Sequence, residues 1–597
     1  MPLKAPNKKH RTVILAIVLT TLAAIGLTLR AQDTKSVVSG MVKSASGEPV
    51  QGAFVRIHNV DSGVTFLVVS GGQGRYESPK LLPGKYLVAA IGGEYQSDPS
   101  AAPVEIQGGQ PAKEDLVLGA ARKTDPPRKR LTQADFAAVM PEAPAKQVIL
   151  TKCVSCHDLE GVDTRTLRSL GTKAEWGEVV DVHQRYTEGR PEHLSDDEVK
   201  LVVDYMTLNF SREGHPPRLP REKEDRSDPN RHMPRILLQG TEAKYVVTEF
   251  SLRREAFPHD ISVDSQGIAW ISEHSENGHG PDGIKPGVGL IGRIDPKTLS
   301  YTQIAPPPGK YPSRPSGSAV DPHGIVWHDD NGHNDRLISY NPKTMQFKTY
   351  DVPAPPRLKD LNDGGIGNGA ANMNTIIFED GFVWGSGLLS SEIYKLDPVS
   401  GGMITYPTPW GHPPYGLAFD NNKMLWYSAE FSDEIVKLDP ATGKRTVYKV
   451  PTPHADLRHI QTDAEGNVWA SAQESDKLIK VDGRTGEMIE YEPPTKLSGI
   501  DTVDVDKKHN LIWIGEDQMD KLARFDPQTK TFVEFSLPIA GTGVKRIAID
   551  PSNPNRVWWC STGSTPGSLS ESAASRAGFV ESSASTAGYV EVIEPKK

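Results

Sequence analysis

Cysteine is scarce in this chain of 597 residues, which contains only three. So few cysteines exclude a scaffold built on disulfides. Two of the three nevertheless lie together, Cys153 and Cys156 in the stretch TKCVSCHD, with His157 directly after them. The chain lacks a second CxxC and a histidine pair at finger spacing, which argues against a structural zinc site. The remaining uses of this motif are a disulfide, a redox pair or attachment of a c-type haem, and the adjacent histidine favours the haem.

An excess of one charge is also missing. The 67 basic and 76 acidic residues give a net charge of -9, so the sequence predicts no nucleic-acid partner. The length suggests several domains. With 54 glycines and 48 prolines, the composition predicts a turn-rich, multidomain and mainly β protein.

Long hydrophobic runs are rare, and one lies near the N-terminus. Residues 12–29 carry no charge and follow the basic stretch MPLKAPNKKHR. We interpret residues 1–31 as a signal peptide cut near Ala31, or as an uncleaved membrane anchor. Both interpretations predict a periplasmic or otherwise exported protein.

The CVSCH motif lies in a predicted helical segment, residues 135–210. Residues 194–210, LSDDEVKLVVDYMTLNF, begin with a capping box at Ser195 and Glu198. The segment resembles class I cytochromes c, which implies a small all-α domain with one haem c. Cys153 and Cys156 would form thioethers with the haem vinyl groups, and His157 would be the proximal iron ligand.

The distal iron ligand is left with three candidates. Related cytochrome domains often contain W-x-x-V-V-x-x-M, in which the methionine binds iron. Here the run is WGEVVDVH, residues 176–183, so His183 stands at the methionine position. His183 is the first candidate and would give a bis-histidine iron of lower potential. His193 and Met206 are the alternatives.

Residues 36–119 read as short strands separated by turns. They resemble the carboxypeptidase regulatory-like domain, which implies a small immunoglobulin-like β-sandwich. The matching residues are Gly40, Val42, Gly47, Pro49, Val50, Gly52, Ala53, Val55, Gly74, Tyr76, Leu82, Pro83, Gly84 and Tyr86. No catalytic pattern lies in it, so we interpret it as a spacer or adhesion module, with carbohydrate binding as an alternative. The flanking charged, proline-bearing segments, residues 120–134 and 211–240, are predicted to be solvated linkers.

From residue 241 to 597 the chain repeats, with tryptophans spaced 57, 57, 42, 43, 44 and 45 residues apart. They are Trp270, Trp327, Trp384, Trp426, Trp469, Trp513 and Trp558. Strand-bearing units of this length predict a seven-bladed β-propeller. Residues 245–252 resemble the strand that the last unit lacks, so we expect them to close the ring. Cys560 is predicted to be a buried free thiol.

The repeat resembles the streptogramin (virginiamycin B) lyase family, most clearly in PHDISVDSQGIAWISE, residues 258–273. The resemblance implies His259 and Glu273 as catalytic residues and magnesium or another divalent cation at the mouth of the propeller. The family's paired histidines in adjacent blades are not reproduced, although His459 lies one residue from the histidine position. We expect His259, Glu273, Asp330, Arg458, His459 and Glu516 to converge at the mouth, together with the insertions HSENGHG and HDDNGHND.

These features predict an exported c-type cytochrome that carries single electrons to or from a redox partner protein, with a propeller that binds a partner or small molecule. One alternative is lyase, hydrolase or oxidoreductase activity in the propeller, with the haem as electron acceptor for an oxidation. Another is a haem-bearing adhesion or scaffold protein.

Overall fold

The computed structural model describes residues 36–98, 102–122, 137–138, 140–153, 173–188, 192–210, 230, 232–252, 256–273, 289–311, 313–330, 334–353, 355, 371–430, 432–561 and 585–593. The N-terminal stretch 1–31, Cys156 and His157 lie outside these residues. Within them, no helix is both long and apolar enough to cross a bilayer. The protein is mainly β, as its composition predicts.

The N-terminal unit is a sandwich of two sheets. Its strands are β1 (Val38–Ser44), β2 (Phe54–Asn59), β3 (Val64–Val69), β4 (Arg75–Glu77), β5 (Gly84–Gly92), β6 (Tyr95–Gln96), β7 (Val104–Ile106), β8 (Ala112–Lys113), β9 (Leu116–Leu118) and β10 (Ala120–Ala121). One sheet has β4, β1 and β8, with β9 also on β1, and the other has the order β10-β6-β5-β2-β3, with β7 on β5. The Tyr86 hydroxyl donates to the Leu82 carbonyl at 2.8 Å, which ties the LPGKY turn to its strand.

The described part of the helical segment contains the helices α1 (Pro144–Val148), α2 (Lys173–Tyr186) and α3 (Asp196–Phe210). A π-helical turn, Ile149–Cys153, continues α1. Helix α3 packs against both α1 and α2 because its apolar residues recur on one face. Their shared core contains Trp176, Val202 and Met206, and Cys153 packs against it.

Six four-stranded antiparallel sheets follow in chain order. They are β12 (Pro258–Val263), β13 (Ala269–Glu273), β14 (Leu290–Asp295) and β15 (Ser300–Ile304); β16 (Ser318–Val320), β17 (Val326–Asp330), β18 (Arg336–Asn341) and β19 (Gln346–Asp351); β20 (Met373–Glu379), β21 (Phe382–Gly387), β22 (Glu392–Leu396) and β23 (Met403–Pro407); β24 (Pro414–Phe419), β25 (Leu425–Ala429), β26 (Glu434–Leu438) and β27 (Arg445–Lys449); β28 (Leu457–Thr462), β29 (Val468–Ala472), β30 (Lys477–Val481) and β31 (Met488–Tyr491); β32 (Ile500–Asp506), β33 (Leu511–Glu516), β34 (Lys521–Asp526) and β35 (Thr531–Ser536).

A seventh sheet combines both ends of the repeat. It contains β36 (Val544–Ile549), β37 (Arg556–Ser561), β38 (Thr586–Val592) and, as its outer strand, β11 (Tyr245–Ser251). Strand β11 pairs with β38 along its whole length, from Tyr245 opposite Val592 to Ser251 opposite Thr586. The first strands of the seven sheets contact one another in a closed ring. The propeller, its seven blades and its closure by residues 245–252 are therefore confirmed, and Cys560 is a buried free thiol in β37.

The repeated tryptophans are buried because each blade packs its face on the next. In five blades the indole N–H donates to an aspartate in the turn before the second strand, as from Trp469 Nε1 to Asp463 Oδ2 at 2.9 Å. The same carboxylate accepts backbone N–H groups of its own turn, from Glu465 at 3.0 Å and Asn467 at 2.8 Å. The turn aspartate thus fixes both the hairpin and the tryptophan.

The sandwich is joined directly to the propeller. Strand β3 pairs antiparallel with β11, so six strands of the sandwich and the four strands of the seventh blade form one continuous sheet. Residues of both units share the same cores, with Phe54 and Leu67 packed in one cluster with Trp559 and Val590. The interpretation of this domain as a spacer therefore misses a structural role, because β3 covers an edge that the propeller would otherwise expose.

The end of the second predicted linker is packed rather than solvated. Met233 and Leu238 are buried, and the Leu238 amide donates to the Gly52 carbonyl at 2.9 Å. Gly52 has a φ of +81°, and a β-carbon there would lie 2.2 Å from the Leu238 carbonyl oxygen. Only glycine allows this close approach.

Arg122, in the first predicted linker, is also buried. Its guanidinium donates to the carbonyls of Gly93 at 3.0 Å, Pro234 at 3.1 Å, Asn230 at 2.9 Å and Met233 at 2.6 Å. The points where the chain leaves the sandwich and returns to it are therefore held together.

Candidate functional site

The first strands of the blades surround the central channel of the propeller. We call the end of the channel at which these strands begin the mouth. The turns that enter the first strands and those that follow the second strands lie at this same end. In six of the seven blades the pairing of the first two strands shifts register near this end, as between Leu457 and Ile460. Bulges of this kind re-aim side chains, so neighbouring residues such as Arg458 and His459 can both join the mouth.

Two histidines from opposite parts of the ring meet at this mouth. His259 Nδ1 lies 3.1 Å from the Ser316 hydroxyl of the next blade. His459 is only 4% exposed, and its ring packs edge-on against Tyr415 at 5.1 Å between centroids. Burial, with the positive charges of Arg546, His259, Arg458 and Lys545 nearby, holds the pKa of His459 well below its usual value. His459 is therefore a neutral imidazole.

Cations at the mouth are each paired with carboxylates. Arg458 contacts Asp456 through Nη2 at 2.8 Å and also contacts Glu430. Lys545 lies 3.1 Å from Asp501 and 3.6 Å from Asp517. These pairs set the charged side chains in fixed positions around the channel.

Arg546, the next residue along β36, forms a separate ion pair with Asp260, at 3.2 Å between Nε and Oδ1. Burial raises the pKa of Asp260 to about 6, although the arginine charge acts in the opposite direction. The ion pair joins the first strands of the first and seventh blades.

His259 and Glu273, the predicted catalytic pair, lie near the same end of the first blade, where Pro258 pairs with Glu273. Glu273 is buried at the end of β13, and its carboxylate accepts hydrogen bonds from Tyr301 and Gln303 on the outer strand of its own blade. His259 contacts Ser316 of the neighbouring blade. The two side chains thus have different hydrogen-bonding partners, and a joint catalytic role for them stays a prediction.

Asp330 and Glu516 end the second strands of their blades, at the mouth end. Asp330 accepts hydrogen bonds from Ser313, Asn334 and Arg336, each at 2.9 to 3.0 Å, so it fixes the second blade's loops. Glu516 is fully buried in the sixth blade. His259 and Arg458 lie close enough to His459 for their charges to lower its pKa, and the convergence of all six residues stays a prediction.

Part of the stretch HDDNGHND belongs to a strand rather than to an inserted loop. His328, Asp329 and Asp330 end β17 and are fully buried. His328 Nδ1 lies 2.7 Å from the Ser272 hydroxyl, and burial lowers the pKa of His328 to about 3. Asp329 accepts the backbone N–H groups of Ser316, at 2.8 Å, and Gly317.

Asp329 thereby supports the mouth indirectly, because it holds the backbone of Ser316, the partner of His259. Sequence reasoning missed this role because the polar run reads as a loop. The signal that could have shown it is the tryptophan at 327, which predicts that a strand continues through the next residues.

No group of three or more histidine, cysteine, aspartate or glutamate side chains among the described residues is arranged to hold a metal ion. Residues 274–288 and 331–333, which contain much of the two insertions, lie outside those residues. The divalent cation at the mouth stays a prediction.

The haem-segment candidates are described in part. Cys153 ends the π-helical turn, and Met206 is buried in the core that this turn packs against. His183 lies on α2 with its Nε2 buried. His193 Nδ1 lies 3.0 Å from the Gln184 carbonyl oxygen, a contact that orients the imidazole ring. These positions leave all three distal candidates within the same helical segment.

The helical segment contacts the propeller at the mouth end. Trp410 lies in the turn that enters β24, and its indole N–H donates to the Arg185 carbonyl, in α2, at 2.9 Å. His183 lies two residues before Arg185 on the same helix. The helix that carries the first distal candidate is therefore docked on the face where the channel opens.

Two family profiles match parts of the chain. The carboxypeptidase regulatory-like domain matches residues 37–119, and the virginiamycin B lyase family matches residues 367–571. The sandwich is thus a carboxypeptidase regulatory-like domain, and the propeller is virginiamycin B lyase-like. No curated protein matches the chain.

Solved structures with a similar fold include virginiamycin B lyase from Staphylococcus aureus, with 17% identity, coverage of 59% of this chain and 100% of that chain, and a TM-score of 0.45. A streptogramin B lyase structure shows 18% identity, the same coverage and a TM-score of 0.47. Hydrazine synthase from Kuenenia stuttgartiensis shows 14% identity, coverage of 51% and 93%, and a TM-score of 0.39.

Proposed function

We propose that this protein is an exported c-type cytochrome that carries single electrons through one covalently bound haem, and that its propeller binds the partner or small molecule with which electrons are exchanged. The observation that carries the proposal is the CVSCH motif, whose first cysteine ends a helix packed in a small helical core. Because the protein also has a long apolar run near its N-terminus, we propose a periplasmic or otherwise exported location, with residues 1–31 as signal peptide or anchor.

The helical core offers an environment that fits a haem. Met206 and Trp176 are buried beside the turn that bears Cys153. The Trp176 indole N–H is buried with no acceptor among the described residues, so a polar group of a cofactor could accept it. Two thiols, His157 and the candidates His183, His193 and Met206 form the donor set that c-type haem requires. When bound, the haem would supply a reversible one-electron couple at its iron.

Lys152 positions the first thiol. Its ammonium donates to the His193 carbonyl at 3.0 Å and to Glu198 Oε2 at 2.8 Å. The lysine contact, with hydrogen bonds from Ser195, holds the pKa of Glu198 at about 2, so the carboxylate stays charged. The turn that carries Cys153 is thus tied to the capped start of α3.

The docking of α2 on the propeller supports electron exchange between the two units. The Trp410–Arg185 hydrogen bond holds α2 on the mouth end, and Tyr415 and His459 lie on the strands that begin there. A molecule bound at the mouth would therefore be close to the helical segment. This geometry favours a redox role over the adhesion or scaffold alternative.

A second candidate function is chemistry on a small molecule in the propeller, either lyase or hydrolase chemistry or an oxidation with the haem as electron acceptor. The observation in its favour is the neutral, buried His459 close to His259. A neutral imidazole can accept a proton from a substrate.

The test is a reduced-minus-oxidised visible spectrum of the chain purified from a host that matures c-type cytochromes, followed by a denatured pyridine haemochrome assay. We expect a c-type band with one haem per chain and its loss in Cys156→Ala. A Cys560→Ala variant is the matched control, since that buried thiol lies in the propeller. A chain without covalent haem would overturn the electron-transfer proposal.

A further inference from the structure

We propose that the propeller mouth binds a small oxyanion, a carboxylate or phosphate group, between the Arg546 guanidinium and the His459 imidazole. The inference deepens the proposed function, on which it rests, by naming the chemical class that the propeller would bind. It is carried by two polar side chains at the mouth whose hydrogen-bonding capacity is not used within the described residues.

Arg546 is the cation with donors to spare. Asp260 contacts its Nε, whereas Nη1 is buried and donates to no described residue. About 16% of the Arg546 side chain is exposed, so the side chain is not completely closed off from solvent. The planar fork of an arginine suits the two oxygens of a carboxylate or phosphate.

His459 supplies the second contact. Its Nδ1 is buried without a hydrogen-bonding partner among the described residues, and its ring lies close enough to Arg546 to feel that charge. Buried polar atoms are normally satisfied, so an unsatisfied imidazole at a channel mouth points to a ligand. An anion beside this ring would favour its protonated form, so binding should take up a proton.

Two other cationic side chains at the mouth already form ion pairs with carboxylates. From β28, Arg458 contacts Asp456 and Glu430. From β36 and β32, Lys545 lies against Asp501. These carboxylates oppose an incoming anion, but each is matched by a cation.

Further titratable groups lie near His459 and Arg546 on neighbouring strands. They include His259 on β12, whose charge lowers the pKa of His459, Tyr415 on β24, whose ring packs on that of His459, and Asp260 on β12, which pairs with Arg546. Burial raises the pKa of Tyr415 to about 12, so the phenol is neutral and can itself donate to an anion. Among the described cations at the mouth, Arg546 has a buried donor without a partner.

The experiment is isothermal titration of the full chain with inorganic phosphate and, separately, with acetate, in two buffers of different ionisation enthalpy at neutral pH. We expect one anion per chain and a measurable uptake of protons, with one proton per anion as the maximum. Arg546→Gln should weaken binding about tenfold or more, as expected for a charge-assisted hydrogen bond. His459→Gln should abolish the proton uptake.

Two further variants keep the outcome clear. Arg546→Lys retains the positive charge but replaces the planar guanidinium with an ammonium group. Its affinity for the anion should lie between those of the unchanged protein and Arg546→Gln. Arg293→Gln removes an arginine that lies over Trp270 on the third strand of the first blade, and it should bind as the unchanged protein does. Circular dichroism and melting temperature show whether each variant folds.

Binding of acetate alone would identify a carboxylate ligand, and binding of phosphate alone a phosphate ligand. No binding of either anion, binding without proton uptake, or equal binding by Arg546→Gln would overturn the inference. Cys156→Ala should leave anion binding unchanged, since it lies in the helical segment. If the protein binds an anion but no haem, the electron-transfer proposal is overturned and the anion site is not. If it binds haem but no anion, the anion site is overturned and the electron-transfer proposal is not.

Discussion

Glu273 and Glu516 occupy the same place in two blades but have different surroundings. Each ends the second strand of its blade. In the first blade the fourth strand presents Tyr301 and Gln303, which both donate to the Glu273 carboxylate. In the sixth blade the strand register places Phe532 and Glu534 at the equivalent positions. Glu516 therefore loses both donors, and neither of its oxygens has a partner among the described residues.

We predict that Glu516→Gln removes a pH dependence of stability. Burial, reinforced by the charge of Glu534, raises the pKa of Glu516 to about 8, against about 4.3 in an unfolded chain. The folded carboxyl therefore holds a proton that the unfolded chain releases. The contribution of Glu516 to the free energy of unfolding should be complete below about pH 4. It should decrease as pH rises to about 8, by a few kcal/mol in order of magnitude.

The measurement is the melting temperature of both proteins at mildly acidic and mildly alkaline pH. The variant should lose less stability than the unchanged protein as pH rises. Glu273→Gln is the control, because its two donors would lose a charged acceptor and the variant should be destabilised at both pH values. An unchanged pH profile in Glu516→Gln would show that this carboxyl is not protonated in the native state.

His459 shows how far single residues could be predicted. The sequence pattern identifies His259 directly, since it matches the family motif. His459 stands one residue out of position and joins the mouth because the strand register shifts between Leu457 and Ile460. A bulge does not change the spacing of apolar residues along the sequence. The sequence alone therefore shows only that His459 lies one residue from the histidine position of the motif.

At the scale of elements, a directional hydrogen bond between described residues holds α2 on the propeller. The Trp410 indole N–H donates to the Arg185 carbonyl. This contact uses a backbone acceptor, so the sequence of the helix does not specify it. The sequence predicted both units but not which face of the propeller the helix touches.

We predict that Trp410→Phe loosens α2 while the propeller stays intact. The variant keeps an aromatic ring but loses the donor, which should cost about 1 kcal/mol and raise hydrogen exchange in residues 173–186 several-fold. The measurement is hydrogen exchange followed by mass spectrometry. Tyr406→Phe is a matched control, since its hydroxyl donates to the Pro440 carbonyl within the propeller. Equal exchange in α2 for both variants would contradict the docking contact.

The blades were predictable because the tryptophan period and the strand alternation repeat along the chain. The pairing of β3 with β11 was not. This pairing joins two different units and occurs once, so no repeated sequence pattern predicts it. The edge strands of either unit could also have remained exposed to solvent. Register between units is set by the shared apolar contacts, such as Leu67 opposite Val247.

For the whole molecule, the continuous sheet predicts that the sandwich and the propeller unfold together. Removing residues 36–119 would expose the backbone edge of β11 and the apolar side chains that now contact the sandwich. We expect the truncated chain to melt at a lower temperature and to aggregate, because an exposed strand edge pairs with other chains.

Calorimetry and size-exclusion chromatography would measure both effects. A chain that begins at residue 36 serves as the control, since it keeps the sandwich. The full chain should show one transition for the two β units. Separate transitions, or a truncated propeller that is monomeric with an unchanged melting temperature, would show that the sandwich is an independent module.

Arg122 gives the molecule a property that concerns its assembly from parts. Since its guanidinium holds Asn230, Met233 and Pro234 beside the end of the sandwich, the two ends of the stretch 123–229 are close together. The contacts that join the sandwich to the propeller lie outside that stretch, so they do not depend on its length or content. A short glycine–serine bridge from Arg122 to Asn230 should suffice to preserve the sandwich and the propeller, and a different module could be inserted between the same two residues.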